Sequence, residues 1–546
     1  MRTSGRAGRR LPILTAVFVS GAALLSVELA ASRVLAPYFG NSLFVWGALI
    51  GVVLAGLSVG YAVGGFLVDR HPSVRLLEGA IALGGVAVLA VPVLDERVLE
   101  LVVDLDPGPR LDPLLASVLL FGPASVVLAS VTPIAVRLRA RSAESFGGTT
   151  GNLFAVSTLG SITGTFATAF FLVPEFGTDE VLGLAAASLF VAVAILGVFD
   201  RAILVAGAAL AAAALAAVVV FAAAPQAGET LSDLEAANWS PLYRSRGYGY
   251  FDTRDPSATI DPPNLRRVFA EDTRYHRLSV VEDGTTRYLR FDNSLQSAMY
   301  IREPFRTRFR YTDLFHLGIA YAPRARRVLY VGLGAGSSPK QLWRAFPDVT
   351  IDVVELDPRV VDVGYRFFHV PRDERLRIHV GDGRRYLAER SARYDVIVID
   401  AFFADAIPFH LVTTQFLALV RARLTQGGVV VTNVIGALEG SGSRLFRSVY
   451  RTYKTAFPSV RVHPAILAGD RGDASYRNLI VVAGESAAPQ PTLLASRWET
   501  LRADHPLAPD LRKPILDRHD AAIHVSDVPT LTDDYAPTDA LLLLFQ

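Results

Sequence analysis

The chain has 546 residues, 51% hydrophobic and 19% charged, with a mean hydropathy of +0.34; this is too apolar for a water-soluble protein of such length and implies membrane segments. Lys and Arg number 54 against 52 Asp and Glu, so no global basic field speaks for a nucleic-acid partner. With no cysteine at all, disulfides, thiolate chemistry and cysteine-ligated zinc are excluded, and no His pair stands at metal-ligand spacing.

Apolar character is concentrated before residue 225. About seven windows are long enough to cross a bilayer: 11–31, 45–67, 76–94, 114–136, 153–173, 181–199 and 203–224. Arg2, Arg6, Arg9 and Arg10 precede the first, which reads as a retained helix rather than a cleaved signal. Gly51, Gly56, Gly60, Gly64 and Gly65, and later Gly160 and Gly164, recur at spacings that let helices approach closely in lipid. Glu28 lies inside the first window, where an unpaired carboxylate is costly; it is expected either to pair with Arg33, the favoured reading, or to form a site for a cation. Arginine-rich connections at 69–75 and 137–141 alternate with acidic ones at 95–112 and 175–180, which places the amino terminus inside. Seven spans then put the second half outside, although adenosyl sulfonium donors are made in the cytosol. The side of the membrane therefore stays open. A polar stretch, 225–270, with Trp239, Tyr243, Tyr248, Tyr250 and Phe251, reads as a linker near the membrane surface.

From Tyr275 the period becomes two, and an Asp283-Gly284 turn divides the alternating run into a β-hairpin. A small β subdomain is expected over 271–320, with a lead-in helix at 305–319. Next comes VLYVGLGAGSSPKQLWRAFPDVTIDVVELD, which reads as strand, glycine turn, helix, strand. Gly332, Gly334 and Gly336 let backbone amides approach a ligand, and Glu355 ends the second strand about 20 residues on, where a carboxylate can hold both hydroxyls of a ribose. Ser337 occupies the place that would complete G-x-G-x-x-G. A nucleoside ligand without a pyrophosphate fits this turn, as S-adenosylmethionine or its decarboxylated form would, although the turn alone equally suits an ordinary strand-to-helix connection.

Strands at 376–380, 396–399 and 429–431 alternate with helices from Pro358, at 384–389 and at 410–424, a pattern that makes a doubly wound, mainly parallel sheet over 321–546. Ligands lie beyond the carboxyl ends of such strands. Asp382, beside Gly383, follows one of these ends and suits either an adenine amino group or a helix cap. Asp400 ends the run VIVI and emerges from a buried strand, where partial desolvation favours a working base. Asp405 follows five residues later. An acidic pair beside a sulfonium donor suits an amine acceptor, because carboxylates hold an ammonium and then take its proton.

YHRLSVVED, FDNSLQ, YTDLFHLG, VGLGAGSS, VVELDP, VGDGRRYL, IDAFFADAIPFHL and LTDDYAPTD occur in that order. In this series the chain resembles the polyamine aminopropyltransferases, spermidine and spermine synthases, in their membrane-fused form. The stretch ELAASRVLAPYFGNSLFVWGALIGVVLAGLSVGYAVGGFLVDR is similar to the helical domain of the fused proteins. The resemblance implies a polytopic α-helical membrane domain over 1–224, then a small β subdomain and an α/β, class I methyltransferase-like Rossmann domain. It implies transfer of aminopropyl from decarboxylated S-adenosylmethionine to putrescine or a similar amine, with no permanently bound cofactor, at the cell membrane and in a homodimer. Carried over by position, Gly332, Gly334 and Gly336 form the donor loop, with Glu355 on the ribose and Asp382 and Gly383 at the adenine. Asp400 is the base, Gln296 and Tyr311 line the acceptor side, and Asp405 is a second amine anchor. Three departures follow from the same comparison. Ala335 stands where the family carries an Asp for the donor ammonium, Leu317 where a His closes the helix after Tyr311 and Asp313, and Asp400 and Asp405 are further apart than the family's paired acids. Two other readings stay open: methyl transfer from intact S-adenosylmethionine, and a non-enzymatic amine carrier or scaffold with a nucleoside-sensing domain.

Overall fold

The computed structural model describes residues 10–39, 43–105, 108, 110–140, 143–200, 202–222, 265–292, 294–402, 407–465, 473–474 and 476–541. These fall into two compact units, one made of the helices before residue 226 with Glu271–Arg277, the other of the rest of the second half. Most of the expected linker, and Asp405 with it, lies outside the described residues.

The helical unit contains α1 (Arg10–Phe39), α2 (Leu43–Arg70), α3 (Val74–Leu105), α4 (Asp112–Leu120), α5 (Gly122–Arg139), α6 (Ala143–Ala167), α7 (Thr178–Phe199) and α8 (Ile203–Ala222). Five of them, α1, α2, α3, α6 with its continuation, and α7, are long and apolar enough to cross a membrane. The fourth expected window is not one straight helix, because α4 and α5 meet at 50°. Pro123, in the first turn of α5, has no N–H to give to the preceding turn. The glycine spacing is a packing device. A Cβ on Gly160 would meet the Phe18 carbonyl oxygen at 2.1 Å and one on Gly164 that of Ala22 at 2.3 Å, so α6 lies backbone to backbone on α1. Gly60 and Gly64 set α2 against Val126 and Ser130 of α5 in the same way. Glu28 is not paired as expected: Arg33 donates to the Thr273 carbonyl oxygen at 3.0 Å, and among the described residues no ion pair joins it to Glu28.

The second half begins with an antiparallel sheet, β1 (Arg266–Asp272), β2 (Arg277–Glu282), β3 (Thr286–Phe291) and β4 (Ser294–Tyr300), in that order. β1 starts within the stretch expected as linker. The β2–β3 turn is the expected one, and Asp283 fixes it by accepting from the amides of Thr285 and Thr286, each at 2.8 Å. Residues 305–309 are not helical, because Thr307 bridges back to Met299 of β4. The lead-in is instead a 3₁₀ turn, Arg310–His316, running into one α-helical turn, Leu317–Tyr321.

Seven strands form the main sheet: β5 (Arg327–Val331), β6 (Thr350–Glu355), β7 (Leu376–Val380), β8 (Tyr394–Ile399), β9 (Leu424–Gly436), β10 (Ser459–Pro464) and β11 (Arg477–Gly484). Their spatial order is β7-β6-β5-β8-β9-β11-β10. The first five are parallel, and β11 and β10 add antiparallel pairs at one edge. Between the parallel strands run α9 (Ser337–Ala345), α10 (Pro358–Phe367), α11 (Gly383–Glu389) and α12 (Thr414–Arg423). α12 starts later than the sequence pattern suggests, because Thr413 caps it by accepting from the Phe416 amide. Along β5, Val328 and Tyr330 join the core on one face while Leu329 and Val331 join that on the other. A strand covered on both faces reads as an unbroken apolar run.

Candidate active site

The chain runs outward from β5 to β6 and β7, then returns to the other side of β5 as β8 and β9. The strand order therefore reverses between β5 and β8, which is where a crevice opens in sheets of this kind. The two segments leaving these strands touch. A Cβ on Gly332 would lie 2.2 Å from the Asp400 carbonyl oxygen, and the Asp400 amide donates to the Val331 carbonyl at 2.9 Å. Gly332 also has a φ of +101°, so only glycine combines this backbone turn with this approach.

Glu355 faces the turn from the end of β6. Its Oε2 accepts from the Leu333 amide at 2.9 Å and its Oε1 from the Asp357 amide at 3.0 Å. Burial pushes its carboxyl above the usual value, and the backbone amides of Asp357, Leu333 and Leu356 act against that shift. Each oxygen keeps a lone pair for a further donor, as a ribose diol would need. From the β sheet, Ser297 closes on the loop: its side chain is the nearest group to a Cβ on Gly334, at 3.7 Å, and its Oγ lies 3.3 Å from that of Ser337. Gln296, beside it on β4, donates to the Ser294 hydroxyl at 3.0 Å. Tyr311 is buried in the 3₁₀ turn, stacked on Phe309 and edge-on to Phe315.

Asp382 takes the capping role that its position also suited. Its Oδ1 accepts from the Arg385 amide at 2.8 Å, at the start of α11, and its Oδ2 lies 3.2 Å from Nε2 of His410. Gly383 is fixed by packing, since a Cβ there would meet Val331 at 2.4 Å. His410 is held in turn by Arg384, which donates to its carbonyl oxygen and makes a two-pronged ion pair with Asp533 of the LTDDYAPTD segment. That pair holds the Asp533 carboxyl down at about 2.

Asp400 carries the strongest functional signature. Burial pushes its carboxyl up to about 6, opposed by one hydrogen bond in which Asn433 Nδ2 donates to Oδ1 at 2.9 Å. Asn433 is buried on β9, and its own carbonyl oxygen accepts from Asn478 of β11 at 3.1 Å. The pair Ile399↔Thr432 is the last in register between β8 and β9, so Asn433 stands next to Asp400 one step further along. Neither asparagine was singled out from the sequence; the signal that could have found Asn433 is its place in a strand parallel to the one that Asp400 ends. Ala335, in contrast, is fully buried in an apolar cluster with Val280, Phe291 and Val363, so the loop turns no polar side chain outward from that position.

Residues 308–467 match the spermine/spermidine synthase domain family. The matched stretch contains Gly332, Glu355, Asp382, Asp400 and Asn433. A polyamine aminopropyltransferase of Vibrio vulnificus is 34% identical over 152 residues, 27% of this chain and 49% of the relative. The eEF1A lysine and N-terminal methyltransferase of Mus musculus is 33% identical over 145 residues, 25% of this chain and 20% of that protein. A probable spermidine synthase from Corynebacterium glutamicum is similar in structure with a TM-score of 0.38 and 19% identity, covering 48% of this chain and 98% of that one. The chain spans half or less of the length of the first curated relatives it matches.

Proposed function

We propose that the chain is an aminopropyltransferase of the spermidine synthase type, carried on a multi-pass membrane domain, with decarboxylated S-adenosylmethionine as donor and a small amine as acceptor. The observation that carries this reading is Asp400, a half-buried carboxylate with its pKa raised to about 6, whose backbone is pressed against the glycine turn that Glu355 holds from the other side. The nucleoside part of the donor fits these residues, with the diol on Glu355 and the chain past Gly334, where a Cβ finds only Ser297 near it. An amine arriving as an ammonium gives one proton to Asp400. The freed lone pair attacks the carbon beside the sulfonium, the carbon–sulfur bond breaks toward sulfur, and a neutral thioether leaves. Asn433 holds the carboxylate oxygen still and favours its charged form, so that it is ready as a base near neutral pH. Gln296, Tyr311 and Asp405 are assigned to the acceptor side, and Asp382 and Gly383 to the adenine edge.

One observation favours a second reading, methyl transfer from intact S-adenosylmethionine. Ala335 is turned into an apolar core, so the loop supplies no carboxylate at that position for a decarboxylated donor's ammonium. Product analysis separates the two. The purified full chain is incubated with each donor and a panel of diamines, and products are weighed by mass spectrometry. An aminopropylated amine made only from the decarboxylated donor supports the proposal; a methylated product, or none, overturns it.

A further inference from the structure

A second pocket lies in the same unit, away from the crevice. Its volume is about 750 Å³, and none of Gly332, Glu355, Asp400 or Asn433 lines it. Its walls are the segment leading to the 3₁₀ turn, the outer side of α9, and the stretch around Pro509. Four arginines face it, Arg302, Arg306, Arg310 and Arg344, against two acids, Glu303 and Asp510. Glu303 is already engaged by Arg306 at 2.6 Å. Asp510 accepts from the Arg512 amide. Among the described residues neither Arg302 nor Arg344 pairs with a carboxylate, and Arg344 is held over the Phe305 ring, its guanidinium carbon 4.8 Å from the centroid. Guanidinium groups gathered in a concave site repel an ammonium and recognise planar or tetrahedral oxyanions through paired N–H donors.

We propose that this pocket binds a phosphate-bearing polyanion, a ligand class opposite in charge to the amine acceptor. The charge excess and the unpaired Arg302 and Arg344 carry the inference, which stands whichever donor the crevice uses. Free phosphate compounds and lipid headgroups share this chemistry. α9 begins at the donor loop and places Arg344 in the pocket two turns later, so an occupant also braces the helix behind that loop.

The test is calorimetric titration of the full chain with inorganic tripolyphosphate, in neutral detergent and in nanodiscs with or without anionic phospholipid. Saturable binding is expected, weakened about tenfold or more in Arg302→Glu/Arg344→Glu, in line with the loss of charge-assisted hydrogen bonds, and unchanged in an Arg324→Glu/Arg393→Glu control. Arg344→Gln serves if the double variant unfolds. Competition from anionic nanodiscs identifies a headgroup as the natural source, and its absence a soluble phosphate. No saturable binding, or equal weakening by the control pair, overturns the proposal.

Discussion

Glycine does different physical work in the two halves of this chain. In the helical half Gly160 and Gly164 remove side chains so that two helices meet backbone to backbone, and what they produce is contact area. In the second half Gly332 removes a side chain so that the glycine turn can press on the backbone of Asp400, the candidate base, and what it produces is a candidate site. Glycine spacing alone does not distinguish these uses. What distinguishes them is the element on either side: continuous apolar helix in one case, a strand end followed by acids in the other.

The largest expected effect separates chemistry from framework. Asp400→Asn should lower turnover by about 10²–10⁴-fold, the usual range for a general base, while donor affinity and thermal unfolding stay close to wild type; steady-state rates with calorimetry check this. Next, the two glycine roles should part under substitution. Gly160→Leu should destabilise the helical half by about 1–3 kcal/mol through overpacking, seen as a lower unfolding temperature in detergent with donor affinity unchanged. Gly332→Val should do the reverse and lose donor binding, and matching outcomes for the two variants would break the comparison.

Smaller effects test how Asp400 is tuned. A base with its pKa raised to about 6 is charged above that pH and protonated below it, so kcat/KM should rise through about pH 6 and level off. Asn433→Ala removes a hydrogen bond that favours the charged form, and the acid limb should move to higher pH by about one unit, with most of the rate recovered on the alkaline side. An unchanged limb would leave Asn433 a purely structural role. The smallest change is expected from Asp533→Asn, which loosens Arg384 from His410 and should weaken donor binding a few-fold without moving the pH profile.

Strands β5 and β8 were legible because they are covered on both faces and so appear as plain apolar runs, the second of them ending where Asp400 begins. The hairpin turn was legible from Asp283 and Gly284 alone. Less was legible where tertiary contact decides. The helix expected over 305–319 shortens because Thr307 returns to β4, and α5 breaks from α4 at a proline that an apolar window average cannot register. Asp382 fitted two roles in sequence, and the local one, capping α11, is the one its Oδ1 performs. Asn433 and Asn478 were invisible because a polar residue inside a strand carries no signal until its neighbour across the sheet is known.

If the crevice between β5 and β8 holds a nucleoside donor by Glu355 and Asp400 works on it, substitution of the two residues should affect donor binding differently. The most direct measurement is calorimetric binding of decarboxylated S-adenosylmethionine to the full chain, to Glu355→Ala and to Asp400→Asn. Saturable binding to wild type and Asp400→Asn with similar affinity is expected, with a loss of about tenfold or more in Glu355→Ala, where the hydrogen bonds of a carboxylate to the ribose are removed. Equal affinity in all three, or no binding to a folded wild-type chain, would contradict it.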